Sequence, residues 1–207
     1  MGWQPQLKYN DSRCLIKILP GYNIELWNRH GEKFRTYHAP QQLTQQLQTL
    51  AQTLQLSPDT WSLLDGGLLD QKHPAIKDTI IIWDILVRDS QHLLGTTYQE
   101  RYNTLTHPIS TVETYWHTHP KHQPIDFGIK LDQNLILAKN YTAADYNNIW
   151  EMVQTANAPW TVEGNLRPVL EGVVLKDPQG TLQMGYKIKN NTDWMVKSRV
   201  ATGRHAF

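Results

Sequence analysis

The sequence predicts an α+β domain, with antiparallel sheets and flanking helices. Three observations lead there. Short runs of alternating apolar and polar residues recur throughout, and alternation over so few residues reads as strand. One run, Thr79 to Val87, is nearly all apolar apart from Asp84, which predicts a central strand buried on both faces. Three longer stretches carry the helical period instead. The 207 residues suffice for one sizeable core, and composition does not shift along them. One domain over residues 1–207 is therefore expected, without linker, repeat or low-complexity block.

Residues 12–19 read as the first strand, and Pro20-Gly21 as a turn. Asn23 to Arg29 returns as its hairpin partner, and Phe34 to His38 adds a third strand. Pro40 opens a helix whose Leu43, Leu47, Leu50, Ala51 and Leu54 share one face. Trp61 to Leu69 is a strand broken by Asp65-Gly66-Gly67. After the central strand, Thr97 to Leu105 forms a helix. Residues 106–124, with three prolines and four histidines, read as a loop. Ile125 to Ala138 holds two strands around Asp132-Gln133-Asn134. Thr142 caps a helix carrying Tyr146, Ile149, Trp150 and Val153 on one face. Residues 157–168 are irregular. A strand at Glu171–Lys176, a turn at Pro178-Gln179-Gly180, and strands at 181–189 and 194–199 complete the chain.

Net charge is +1, so nothing global draws the chain to nucleic acid or membrane; any such contact needs a local basic face. The single cysteine, Cys14, excludes an intrachain disulfide and fits a reducing compartment. The start of the chain carries no signal sequence, and no apolar run approaches a membrane span. A soluble, cytoplasmic, monomeric protein is expected.

The densest chemistry lies in Glu171-Gly-Val-Val-Leu-Lys176 and in Trp194-Met-Val-Lys-Ser-Arg199. Were these neighbouring strands, Glu171, Lys176, Lys197 and Arg199 would surround one small volume. One carboxylate among several cations suits a polyphosphate with a metal ion. The same residues also describe two amphipathic strands with solvated charges. Lys8 stands in a turn before the first strand. A lysine amine is a poor nucleophile at its ordinary pKa of about 10.4, and burial or neighbouring cations would activate it. Asp84, in the most apolar strand, needs a partner. Trp83 beside it is either core or a face for a flat base. Arg29, in a basic turn, can grip a phosphate. His107, His117, His119 and His122 lack the fixed spacing of a zinc site.

Six of these pieces, in order, resemble the covalent nucleotidyltransferase superfamily of ATP-dependent DNA ligases, RNA ligases and mRNA capping enzymes. Lys8 to Arg13 resembles the nucleophile motif Lys-x-Asp-Gly-x-Arg, and Asn28-Arg29 the step behind it. Leu64-Asp65-Gly66-Gly67-Leu68 resembles Asp-Gly-Glu-Leu, and Trp83-Asp84-Ile85-Leu86-Val87 resembles Phe-Asp-x-Leu-Val. Glu171 to Lys176 matches Glu-Gly-Val/Leu-Val-x-Lys. Trp194-x-x-Lys197-x-Arg199 resembles the closing Lys-x-Lys/Arg motif, whose spacing Lys187-x-Lys189 also has. The stretch 79–105 is similar to DNA ligases.

The resemblance implies an ATP-grasp-like ligase adenylation fold and a minimal ligase that seals nicks, on DNA in preference to RNA. ATP and Mg²⁺ would be its cofactors and nicked duplex its partner. Lys8 would form a lysyl-AMP bond, with Lys197 and Arg199 on the phosphates and Lys176 near the α-phosphate. Glu171 would organise the metal, Arg13 would contact the ribose, Gly67 would line the nucleotide site and Trp83 would stack on adenine. Arg29 would reach the nucleic-acid backbone. The chain departs from the pattern in Asn10-Asp11, where the family has Asp-Gly, and in Gly67, where it has glutamate. Only eight residues follow Arg199, which implies no oligonucleotide-binding barrel. The alternative is a weakened module of this fold that holds nucleotide or nucleic-acid ends without joining them.

Overall fold

The computed structural model describes residues 2–70, 72, 76–119, 122–162, 169–184 and 192–200. Among the described residues the strands are β1 (Gln4–Tyr9), β2 (Ser12–Leu19), β3 (Asn23–Trp27), β4 (Ser62–Leu69), β5 (Thr79–Arg88), β6 (Gln91–His92), β7 (Glu113–His119), β8 (His122–Asp132), β9 (Leu135–Leu137), β10 (Leu170–Lys176) and β11 (Met195–Arg199). The helices are α1 (Gln41–Thr53), α2 (Tyr98–Thr106) and α3 (Tyr146–Val162). They build a three-stranded sheet, β1-β10-β11, and an eight-stranded one ordered β3-β2-β4-β5-β9-β8-β7 with β6 beside β5. The sheets are antiparallel except for β5 with β9, which run parallel, so the larger sheet is mixed.

The central strand explains the two cores. Ile80 and Ile82 of β5 enter one core with Cys14, Ile16 and Ile18 of β2 and the leucines of α1. Ile81, on the opposite face, joins Leu7 and Tyr9 of β1, Val173 of β10 and Ile149 and Val153 of α3. The pleat sends successive side chains to opposite faces, so an uninterrupted apolar run serves both cores. Leu43, Leu47 and Leu50 of α1 are buried, each contributing about 1.5–3 kcal/mol of apolar transfer. At the start of α2, Thr97 Oγ1 accepts from the Glu100 amide while Glu100 accepts from the Thr97 amide, a reciprocal cap.

Several expectations are corrected. Lys8 lies within strand β1 rather than in a turn, because β1 pairs with a strand about 165 residues away and not with a local neighbour. Phe34 to His38 forms no strand; a single bridge joins Trp27 to Lys33. The glycines of β4 do not break it; the strand runs on, with irregularities at Leu63/Leu64 and Asp65/Gly66. Glu113 to His119 is a strand paired with β8, so the proposed loop is largely a hairpin. Helix α3 continues to Val162. Of the strand placed at 181–189, Thr181 makes one bridge to Thr97. Lys187 and Lys189 lie outside the described residues.

Asp84 finds its partner in Arg101 of α2: Nε and Nη2 donate to the two carboxylate oxygens at 2.9 and 3.1 Å, with both side chains buried. Arg101 also donates to the Thr96 carbonyl at 2.6 Å. Arg101→Met leaves the Asp84 charge buried without its counter-ion, and urea unfolding should show a loss of about 3–5 kcal/mol. Asp84→Leu in the Arg101→Met background should recover most of that loss. A single variant as stable as the parent would contradict this role for the pair.

Candidate active site

The cleft between the two sheets encloses about 720 Å³. Strand β1 supplies its first wall by alternation: Leu7 and Tyr9 enter the core, while Gln6 and Lys8 face the cleft. Regular pairing would send Glu171 to the core side with Val173. The register slips instead: Lys8 pairs with Gly172 and Tyr9 with Leu170, leaving Glu171 as an extra residue. Such a bulge re-aims a side chain. Glu171 here pairs with the Lys8 ammonium, and Arg199 Nε lies 3.8 Å from the same oxygen. Gly172 makes the bend possible. Its φ is +144°, and a Cβ would stand 2.9 Å from the Arg199 Cα.

The remaining groups converge from separate elements. Arg13, the residue of β2 paired with Gly67, makes an ion pair with Asp65 and lies 5.6 Å from the Trp83 ring centroid. Asp65 Oδ1 is buried without a hydrogen-bond partner among the described residues. Lys197 of β11, opposite Val174, and Arg199, opposite Gly172, share one face of the small sheet. Arg29 lines the cleft from the turn after β3. Lys176 is buried; its amine sits 4.3 Å from the Tyr98 ring centroid and donates to the Trp83 carbonyl at 3.4 Å.

Lys8, Arg13, Arg29, Trp83, Glu171, Lys176, Lys197 and Arg199 all line this cleft. Gly67 does not; it lies beneath Asp11, whose carboxyl occupies the space a side chain there would need. Lys72 also lines the cleft and donates to the Asp11 carbonyl. No periodicity marks Lys72 in the sequence, which falls between two strands. Arg101 was equally unmarked, although a buried Asp84 required some cation.

Electrostatics follow from burial. Desolvation lowers the Lys176 amine to about 8, against the pull of Asp84 and Asp65. Lys197 is lowered by burial and then by Lys8, Arg13 and Arg199. Burial raises Asp11 to about 6, opposed by Lys8, Lys72 and Arg13. It also raises Asp65, with Arg13 opposing. A cleft of crowded cations, two of them already disposed to lose protons, suits a multiply charged anion.

Among the described residues, no helix is long and apolar enough to cross a membrane. No protein-family pattern matches the sequence, and no curated protein matches it. Solved structures do. The protein named Pmar-Lig_Pre. superposes with a TM-score of 0.58 at 17% identity, over 97% of this chain and 43% of its own. Pmar-Lig_PreS3 gives 0.55 at 17% identity, with the same coverage. The ligase domain of M. tuberculosis LigD gives 0.46 at 22%, over 89% of this chain and 50% of its own, too loose an overlap to carry an argument. The chain thus spans less than half the length of the two Pmar-Lig proteins, and it shares their fold.

Lys176 titrates lower in the fold than in the unfolded chain, so the unfolded chain holds the extra proton between about pH 8 and pH 10. Stability therefore rises through that window, and at pH 7 the buried charge costs ~3 kcal/mol. Lys176→Met should be more stable than the parent at pH 7, by about 1–3 kcal/mol in urea, and should lose the rise between pH 8 and 10. A variant less stable at pH 7 would show that the amine's partners outweigh its desolvation.

Proposed function

We propose that this chain is the nucleotidyl-transferring part of an ATP-dependent polynucleotide ligase, which seals nicks between a 5′-phosphate and a 3′-hydroxyl, in DNA before RNA. The observation that carries the reading is the Lys8–Glu171 pair: an amine from the first strand held by a carboxylate from the tenth, with Lys197 and Arg199 on the same face. In the first step the Lys8 nitrogen, having given up a proton, attacks the α-phosphorus of ATP. A P–N bond forms, the P–O bond to pyrophosphate breaks, and AMP remains on Lys8. The AMP then passes to a 5′-phosphate, and a 3′-hydroxyl displaces it. Each step is an in-line displacement, where catalysis is mostly positioning and charge neutralisation.

The residues divide that work by position. Lys197 and Arg199 face the phosphates, Lys176 stands near the α-phosphate, and Arg13 with Asp65 borders the sugar. Trp83 offers a ring to the base, although Arg13 already lies over it. Arg29, exposed at the rim, meets the nucleic-acid backbone. Among the described residues no group of three or more His, Cys, Asp or Glu side chains stands ready for a metal. Glu171 and Asp11, the carboxylates lining the cleft beside Lys8, would hold Mg²⁺ directly or through water. When bound it supplies charge neutralisation.

A second reading has one observation in its favour. The Lys8 amine is already paired with the Glu171 carboxylate, which suits a module that holds a nucleotide or a strand end without reacting. Incubation with α-labelled ATP and Mg²⁺ separates the two. The parent should carry label through denaturation in an acid-labile bond, Lys8→Ala should carry none, and Lys197→Ala should label on the order of 10²-fold more slowly. A parent that binds nicked duplex yet takes up no label supports the binding module. Label on the Lys8 variant would remove Lys8 as the nucleophile.

A further inference from the structure

The face of β2 that brings Arg13 to the cleft continues past it. Side chains alternate along a strand, so Arg13, Leu15 and Lys17 share one face, while Cys14, Ile16 and Ile18 enter the core. Pairing sets Trp27 of β3 opposite Leu15, and Glu25 opposite Lys17; from the other side, Leu63 of β4 lies opposite Lys17. Trp61 stands two residues before Leu63. Leu15, Lys17, Trp27, Trp61 and Leu63 are all half-buried, and none of the five belongs to either core or packs at its margin. Two tryptophans thus lie on the sheet face away from the core, each still partly open to solvent.

Their rings interleave with cations. Lys17 Nζ stands 5.5 Å from the centroid of each ring, and Lys33 Nζ stands 5.9 Å from that of Trp27. The His92 ring meets Trp61 edge to face, with 5.7 Å between centroids. Glu25 is engaged with Lys33, at 2.6 Å from one oxygen, and accepts from the Trp27 indole at 3.0 Å on the other. Lys17 rests on the rings, which attract an ammonium without neutralising it.

We propose that Lys33, Trp27, Lys17 and Trp61 form a binding track for single-stranded nucleic acid, running out of the cleft along the open face of the large sheet. The proposal goes beyond the ligase reading and does not depend on it.

Charge and position select that occupant. Residues 12–35 hold Arg13, Lys17, Arg29, Lys33 and Arg35 against Glu25 and Glu32, so this hairpin is a local basic face on a nearly neutral chain. Alternation of ammonium and indole matches a polymer that alternates phosphate and base. Phosphates meet the ammonium groups, and bases stack on the rings whatever their sequence. A duplex offers phosphates too, but its base faces are stacked inside, out of reach of the rings. Lys17 lies four residues beyond Arg13, roughly 13 Å along an extended strand, or about four stacked nucleotides. A strand whose end sits in the cleft therefore passes over the row.

The test is fluorescence anisotropy of the full chain with a labelled oligo-dT of roughly 20 nucleotides, without ATP. Trp27→Leu and Trp61→Leu should each weaken binding about tenfold, the loss of one stacked base. Lys17→Gln should weaken it about threefold and lower the slope of log K against log salt by about 0.7, one phosphate contact on a single strand. None of the three residues lines the cleft, so each variant should take up label from α-labelled ATP at the parent's rate. Ultraviolet crosslinking of the parent to the same oligonucleotide needs no variant, and the crosslinked peptides should contain Trp27 or Trp61. A parent that leaves oligo-dT unbound overturns the proposal, as do crosslinks confined to other peptides. Tryptophan variants that bind like the parent, while Lys17→Gln does not, reduce the row to a basic patch and also overturn it. Oligo-dT binding through these residues in a parent that takes up no nucleotide label sinks the ligase reading alone. Label uptake without such binding sinks this proposal alone.

Discussion

The site depends on one extra residue in β10. Strands β1 and β10 pair in step from Gln4↔Lys176 to Lys8↔Gly172, and then Glu171 is left over. In an unbroken ladder its carboxylate would follow Val173 toward Ile81 and Phe127, where an unpaired charge is costly. The bulge turns it onto the face of Lys8. Both halves of the Glu171-Gly172 pair are thus needed together: the carboxylate for its charge, and the glycine because its φ and the nearness of β11 leave no space for a side chain. Strand pairing brings β1 and β10 together, and the kink then turns the Glu171 carboxylate onto the Lys8 amine.

A second, buried network keeps the small sheet on the large one. Gln6 of β1 donates to the Tyr98 hydroxyl at 2.8 Å and to Asn140 Oδ1 at 2.7 Å, and Tyr98 donates to the same Asn140 oxygen at 2.9 Å. The Tyr98 ring stacks with Trp194, whose indole also lies 5.4 Å from the Arg101 guanidinium. Arg101 in turn holds Asp84. These groups join β1, β5, α2 and the approach to β11 beneath the cleft. A satisfied polar network of this sort contributes little net stability, but it admits few alternative packings, which is what a site assembled from distant strands requires.

The sequence was legible where local pattern and structure coincide. The apolar run of β5, the leucine face of α1 and the alternation of β2 and β10 each carry their own period, and each formed where expected. Lys8, Arg13, Arg29, Trp83, Glu171, Lys176, Lys197 and Arg199 were legible from the order of their motifs, and all of them line the cleft. What local pattern could not show was long-range. Strand β1 has only two buried apolar side chains beyond Pro5, and its partner is β10, so Lys8 looked like part of a turn. Strand β7 and the start of β8 were hidden among prolines and histidines, whereas from Ile125 on β8 alternates Ile125, Phe127, Ile129 and Leu131 and was legible. Arg101 and Lys72 carry no signal until the fold brings them to Asp84 and Asp11. Asn10-Asp11 and Gly67 looked like two unrelated departures, yet in space Asp11 and Gly67 are a single contact.

Charge placement makes the same point on a larger scale. The whole chain is nearly neutral at +1, yet Lys8, Arg13, Lys72, Lys176, Lys197 and Arg199 face one cleft, against Asp11, Asp65, Asp84 and Glu171. Lys8 and Arg199 pair with Glu171, and Arg13 pairs with Asp65, which helps a cluster of cations persist in a half-buried space. Burial has already weakened the hold of Lys176 and Lys197 on their protons. A polyanion entering the cleft reverses that tendency, because each phosphate oxygen favours the charged amine beside it. On the proposed reading it would also compete with Glu171 for Arg199 and Lys8, which share that carboxylate. The ion pairs of Glu171 with Lys8 and Arg199 are therefore the ones that a phosphate chain, on the proposed reading, would exchange, and the exchange would free a carboxylate as the anion arrives.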